Sequence, residues 1–135
     1  MKRLLITLFC VTLCTFNLAA QTDLLGNWEL CKIVKLPADT QNIDAHNAKY
    51  IKYNFNYNNT FVAYHEKEKE EASGKWGFDR KENSIKIRNH TFIKSKTGLG
   101  DFNIKLSQLN KTVFIQVIED KKGKPLEYYI YRKIQ

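Results

Sequence analysis

A chain of 135 residues with a formal charge of +8, 43% hydrophobic and 27% charged, is long enough for one well-packed core and too short for two ordinary domains. Its basic excess is moderate and comes without an aromatic-rich binding signature, which leaves nucleic acid outside the expected partners. Of Cys10, Cys14 and Cys31, the first two fall in a leader, so no intramolecular disulfide is available and stability must come from the core.

Met1-Lys2-Arg3, the mostly apolar run Leu4 to Leu13 and the small pair Ala19-Ala20 have the three regions of a secretory signal. Residues 1–20 are therefore read as a signal peptide and 21–135 as one domain, exported to the periplasm or secreted. The apolar run is too short to span a bilayer and no later stretch is longer, so no stable membrane insertion is expected. Lipid anchoring through Cys14 is not expected either, because the bulky Leu13 precedes it.

Two-residue periodicity dominates after Gly26, and no window repeats at helical spacing. Trp28 to Leu36 opens the sheet, with Cys31 expected as a small buried hydrophobe. Pro37-Ala38-Asp39 ends that strand and starts a polar loop through His46 and Asn47. Ile51, Tyr53, Phe55 and Tyr57 alternate with Lys52, Asn54 and Asn56, placing aromatic and branched side chains on one face. Asn58-Asn59 reads as a hairpin turn and Thr60 to His65 as the returning strand.

The charge run Glu66 to Glu71 reads as a solvated hairpin tip leading to a strand that starts near Ser73, with Trp76 and Phe78 in phase. Arg80 to Asn83 turns the chain into a strand holding Ile85 and Ile87. Phe102 to Leu106, Val113 to Ile118 and Leu126 to Ile134 follow. Short segments at near-regular spacing predict an all-β, antiparallel up-and-down barrel of about eight strands, because closure removes the exposed edges of a flat sheet.

Gly26-Asn27-Trp28 at the start of the first strand and Gly74-Lys75-Trp76 within a later one, together with the block Tyr50 to Phe55 and the ending Tyr128 to Lys133, resemble lipocalin-like domains (calycin-type barrels) of the small secreted bacterial type. The resemblance implies that Gly26 and Trp28 close one end of the barrel, with Arg132 packed across the indole as a late arginine is in lipocalins. This chain lacks the lipocalin disulfides and much loop material, which makes a filled interior one of two expectations for the barrel. The C-terminal Arg-x-Tyr of intracellular fatty-acid carriers is also absent, since Lys133-Ile134 follows Arg132.

His46, His65 and His90 have no spacing that would put two imidazoles on one metal, no nucleophile elbow or phosphate loop appears, and no cofactor is implied. A non-enzymatic role follows. Tyr53, Phe55, Phe61, Trp76, Phe78 and Phe102 supply enough aromatic surface to fill the barrel or to line a mouth that accepts a small hydrophobic or amphipathic ligand, with Tyr64 and His65 at its rim. The expected protein is a monomeric, exported ligand binder. The alternative is a protein-binding barrel, an inhibitor or immunity-type module with a filled core.

Overall fold

The computed structural model describes residues 21–36 and 49–134; the expected leader and the polar loop with His46 lie outside the described residues. Eight strands follow one another: β1 (Gly26–Lys35), β2 (Tyr50–Phe55), β3 (Thr60–His65), β4 (Glu70–Asp79), β5 (Ser84–Phe92), β6 (Phe102–Leu109), β7 (Val113–Glu119) and β8 (Pro125–Ile134). Each pairs antiparallel with the next, and β1 closes on β8 from Asn27↔Ile134 to Lys35↔Glu127. The barrel is thus the predicted up-and-down meander, and closure leaves no strand unpaired.

The strand boundaries moved in one informative place. Glu70 and Glu71 pair with His65 and Tyr64, so β4 begins before Ser73 and the charge run contributes to the ladder, leaving only residues 66–69 as turn. Asparagine chemistry sets the other hairpins as expected. Asn59 takes a positive φ of 65°, and the Asn58 carboxamide oxygen accepts from the Thr60 hydroxyl at 2.6 Å. Asn110 Oδ1 likewise accepts from the backbone N–H groups of Thr112 and Val113, both at 2.9 Å, the Asx geometry that initiates a turn.

Three irregularities decide which side chains enter the lumen, because one extra residue in a strand inverts the alternation of inside and outside. In β1 the register shifts between Leu30 and Lys32, so Leu30 and Ile33 both point inward and Cys31 is exposed. The expectation of a buried Cys31 is corrected accordingly. In β2 a shift between Tyr50 and Lys52 brings Tyr50 inside with Tyr53 and Phe55, while Ile51 is only half-buried and Tyr57 stands in solvent. In β5, Asn89 adopts φ 54° and lies where β4 and β5 slip register. His90 and Phe92 thereby turn inward.

One end of the barrel is sealed. A single helical turn at residues 21–24 sets Leu24 beneath the lumen, and the Trp28 indole N–H donates to the Leu24 carbonyl at 2.7 Å. Both Leu24 and Trp28 are fully buried. The cation across the indole is Lys133, with Nζ 4.9 Å from the ring centroid and donating to the Asp23 carbonyl at 2.7 Å. Arg132, expected in that place, is exposed. Register explains the correction: Lys133 stands opposite Trp28, whereas Arg132 stands opposite the outward Glu29. Above the indole, Phe114 packs edge-on at 4.8 Å and stacks on Tyr131 at 4.6 Å, with Tyr53 and Phe55 alongside.

The two Gly-x-Trp triplets serve different ends. Gly26 has φ 120°, a conformation that side-chain-bearing residues rarely adopt. Gly74 has ordinary φ, but a Cβ there would meet the Arg88 carbonyl oxygen and the Phe61 ring, each at 2.7 Å. Its missing side chain lets β4 and β5 approach where Trp76 is held, the indole N–H donating to the Asn56 carbonyl at 3.0 Å.

Gly74→Ala is expected to lower unfolding free energy by about 1–3 kcal/mol, because the Cβ meets backbone that cannot rotate away. Gly77→Ala, where nothing lies within 4 Å, serves as control, and equal urea midpoints for the two variants would refute the close-approach account. Lys133→Ala should cost about 1–2 kcal/mol through the lost cation–π contact and hydrogen bond. Arg132→Ala should stay within about 0.5 kcal/mol of wild type in the same denaturant series.

Candidate functional site

At the opposite end, β1, β3, β5 and β7 finish and β2, β4, β6 and β8 begin, and the lumen changes character. Tyr50, His65 and His90 are buried there at 6%, 6% and 2% exposure, among Phe61, Phe92 and Phe102. Tyr50 stacks on Phe102 with ring centroids 5.6 Å apart and planes 4° from parallel. It also meets both imidazoles edge-on, at 5.2 Å for His65 and 5.6 Å for His90. Phe92 packs on His65 at 5.4 Å.

Hydrogen bonds define the protonation of this layer. His90 Nδ1 lies 3.3 Å from the Gly100 carbonyl; an oxygen of that kind only accepts, so Nδ1 carries the proton and Nε2 accepts from the Tyr50 hydroxyl at 2.8 Å. His65 Nδ1 accepts the Glu68 N–H at 3.2 Å, which leaves Nε2 as the donor of that ring. The Tyr131 hydroxyl donates to the Tyr50 carbonyl at 2.8 Å and in turn bonds the Tyr53 hydroxyl. Tyr50 links His90 above to Tyr131 and Tyr53 in the aromatic plug, while His65 joins the layer through its edge-on contact with the Tyr50 ring.

Burial governs their ionisation. Desolvation lowers the pKa of both histidines, helped by the Lys49 charge, and is opposed at His65 by Glu68 and at His90 by the bond to Gly100. Desolvation also pushes Tyr50 up to about 12 and Tyr53 well above the usual phenol range. Near neutral pH the layer is an uncharged set of donors and acceptors in an aromatic setting, suited to orienting a polar group rather than to neutralising a full charge.

The residues singled out from sequence separate into three groups. Phe102 and His65 belong to the polar end. Tyr53, Phe55, Phe61 and Trp76 are buried in the lumen, with Phe55 meeting Trp76 edge-on at 5.3 Å, and serve as plug and packing. Phe78 is half-buried beside Asp79 and Arg80 at the sealed end, away from the mouth. Tyr64 is corrected from rim to outer wall: its register partners are Lys52 and Glu71, and it lines an external groove of about 640 Å³ with Ile51, Asn54, Asn56 and Val62. In that groove the Asn54 amide donates to Asn27 Oδ1. Tyr50 and His90 were missed from sequence, Tyr50 because the alternation is read from Ile51 onward and gives it no face, His90 because only an asparagine within a strand announces the bulge.

A meander of eight antiparallel strands closed on itself, with a tryptophan of the first strand sealing one end, defines a lipocalin-like fold. No family model matches the sequence, and no curated protein matches it. Among solved structures, the chain is similar to a lipocalin-like protein from Bacteroides uniformis ATCC 8492, with a TM-score of 0.52 and 17% identity over 83% of this chain and 99% of that one. The likeness is one of fold. Among the described residues no helix is long and apolar enough to cross a membrane.

Because the folded state holds both histidines below their ordinary value of 6.5, the unfolded chain binds more protons as pH falls through that value. Stability is therefore complete above about 6.5 and declines below it. Urea midpoints should fall between pH 8 and pH 5, and the decline should be smaller in the His65→Gln, His90→Gln double variant. An unchanged pH slope in that variant would contradict the assignment.

Proposed function

We propose that the protein is an exported, non-enzymatic binder of a small amphipathic molecule, taken up at the polar end of the lumen. The observation that carries this reading is the buried layer of Tyr50, His65 and His90 at one end of an otherwise largely apolar interior. Purely structural filling would favour apolar side chains, since each buried polar group loses its hydration and must recover it through hydrogen bonds. Grouped donors and acceptors at one end of an apolar cup are the usual arrangement for orienting a ligand's polar head. The apolar part of the ligand would lie against Phe92 and Phe102, with Tyr50 turning from its stack on Phe102. The aromatic plug beneath limits the ligand to a short or flat one. The leader in the sequence supports export.

The second reading, a protein-binding barrel, is favoured by the aromatic filling of the lower lumen and by the groove on the outer wall. Native mass spectrometry of protein purified from its own source separates the two: a retained small molecule supports carriage, a second chain supports the alternative. In a direct titration with the uncharged probe N-phenyl-1-naphthylamine and with medium-chain primary alcohols, saturable binding is expected, weakened about tenfold in His65→Leu through loss of one oriented hydrogen bond. Absence of binding across the panel, or equal affinity in that variant, would overturn the reading.

A further inference from the structure

The rim of the polar end carries exposed apolar side chains beside lysines, at two corners on opposite sides of the barrel. At the β1–β8 corner, Leu36 and Leu126 are 40% and 44% exposed and are held together by the Leu36 N–H donating to the Leu126 carbonyl at 3.1 Å. Lys35, Lys122 and Lys124 are exposed around them. At the β4–β5 corner, Ile93 is 49% exposed and is followed by the exposed Lys94 and Lys96, with Lys67 and Lys69 on the neighbouring β3–β4 turn.

These apolar tips are held in place by backbone bonding. The Ile93 N–H donates to the Glu71 carbonyl at 2.9 Å and the Lys96 N–H to the Phe92 carbonyl at 2.9 Å. Glu70 Oε1 accepts from the N–H groups of Lys94 and Ser95, both at 2.7 Å. The loop therefore projects Ile93 from a fixed base, with the Glu70 carboxylate bound to two N–H groups of the loop. On the other corner, Asp120 Oδ1 accepts from the N–H groups of Lys122 and Lys124 at 2.8 and 2.9 Å, again turning an acid toward the backbone and lysines toward solvent. The remaining acids of the described rim are Glu66, Glu68 and Asp101 on the turns and Glu71, Glu127 and the Lys105-paired Glu119 on the adjoining strand ends; Asp39 and Asp44 belong to residues 37–48, outside the described part.

We propose that this rim docks on an anionic phospholipid surface, Leu36, Leu126 and Ile93 entering the interfacial layer while the flanking lysines meet the headgroups. The lysine stems lie along apolar surface and keep the ammonium groups at headgroup level. Neither component suffices alone: the apolar corners are too small to hold a neutral bilayer, and lysine attraction is screened within about a Debye length. Peripheral docking of this kind needs no membrane-spanning segment. It places the mouth of the lumen against lipid, but stands independently of whether the lumen holds a ligand.

The test is flotation of the protein, purified from its own host and freed of small molecules, with vesicles of phosphatidylcholine alone or mixed with phosphatidylglycerol. Binding is expected only with the anionic mixture and should fall steeply as salt rises. Lys94→Glu with Lys122→Glu should weaken it at least tenfold. Leu126→Ser with Ile93→Ser should weaken it about tenfold or more at unchanged salt dependence, while Lys81→Glu with Lys111→Glu at the sealed end should leave it unchanged. Circular dichroism checks that each variant keeps its fold. Absence of flotation, equal binding to both vesicles, or equal loss from the sealed-end variant would overturn the proposal, as would binding to an acidic polypeptide but not to lipid.

Discussion

Pairing of β1 with β8 is the constraint from which the rest of the structure follows. Until the first and last strands meet, both are edges, and the aromatic faces of all eight strands remain open to water. Once they pair, the curvature of the closed sheet brings Trp28, Phe114, Tyr131 and Tyr53 into contact across the lumen. The same pairing sets Lys133 opposite Trp28, so that a C-terminal cation and an N-terminal turn seal one end together. The seal thus joins residues more than a hundred positions apart, and its formation reports that the ring has closed.

Departures from regular alternation give the barrel its two unlike halves. Below, Tyr53 and Phe55 of β2 and Tyr131 of β8 point inward into an aromatic plug. Above, the shifts near Ile51 and Asn89 insert Tyr50 and His90 into the lumen. They meet there over the regular position of His65. A regular β5 would have directed Asn89 and Thr91 inward in their place, and the hydrogen bond between Tyr50 and His90 could not have formed. The β5–β6 connection completes the arrangement, since its Gly100 carbonyl fixes the His90 tautomer and its first residues carry the exposed Ile93 and Lys94.

Much of this was legible in the chain. Alternation in Tyr53 and Phe55, asparagine turns and the Gly-x-Trp triplets pointed to a closed antiparallel barrel with two inward indoles, and both tryptophans are buried. His65, expected at the rim, is instead buried in the lumen in phase with Phe61 and Ala63. Tyr64 was misplaced because a residue beside a predicted rim was taken as part of it, although its neighbours in phase, Val62 and Lys52, face outward. Arg132 was preferred to Lys133 on resemblance, and cross-strand register decided otherwise. Cys31 looked buried because its strand is apolar on average, and averages cannot show that a bulge has turned one member outward.

Local sequence, through two-residue periodicity and turn chemistry, determined the strand count, the antiparallel order and the aromatic character of the interior, because those follow from interactions between near neighbours. Which polar side chains share that interior, which cation covers the first tryptophan and which leucines reach the rim were decided only by tertiary structure. The reason is physical. Register between strands distant in the chain, and bulges stabilised by those pairings, set the inside and outside of every later residue, and no segment carries that information alone.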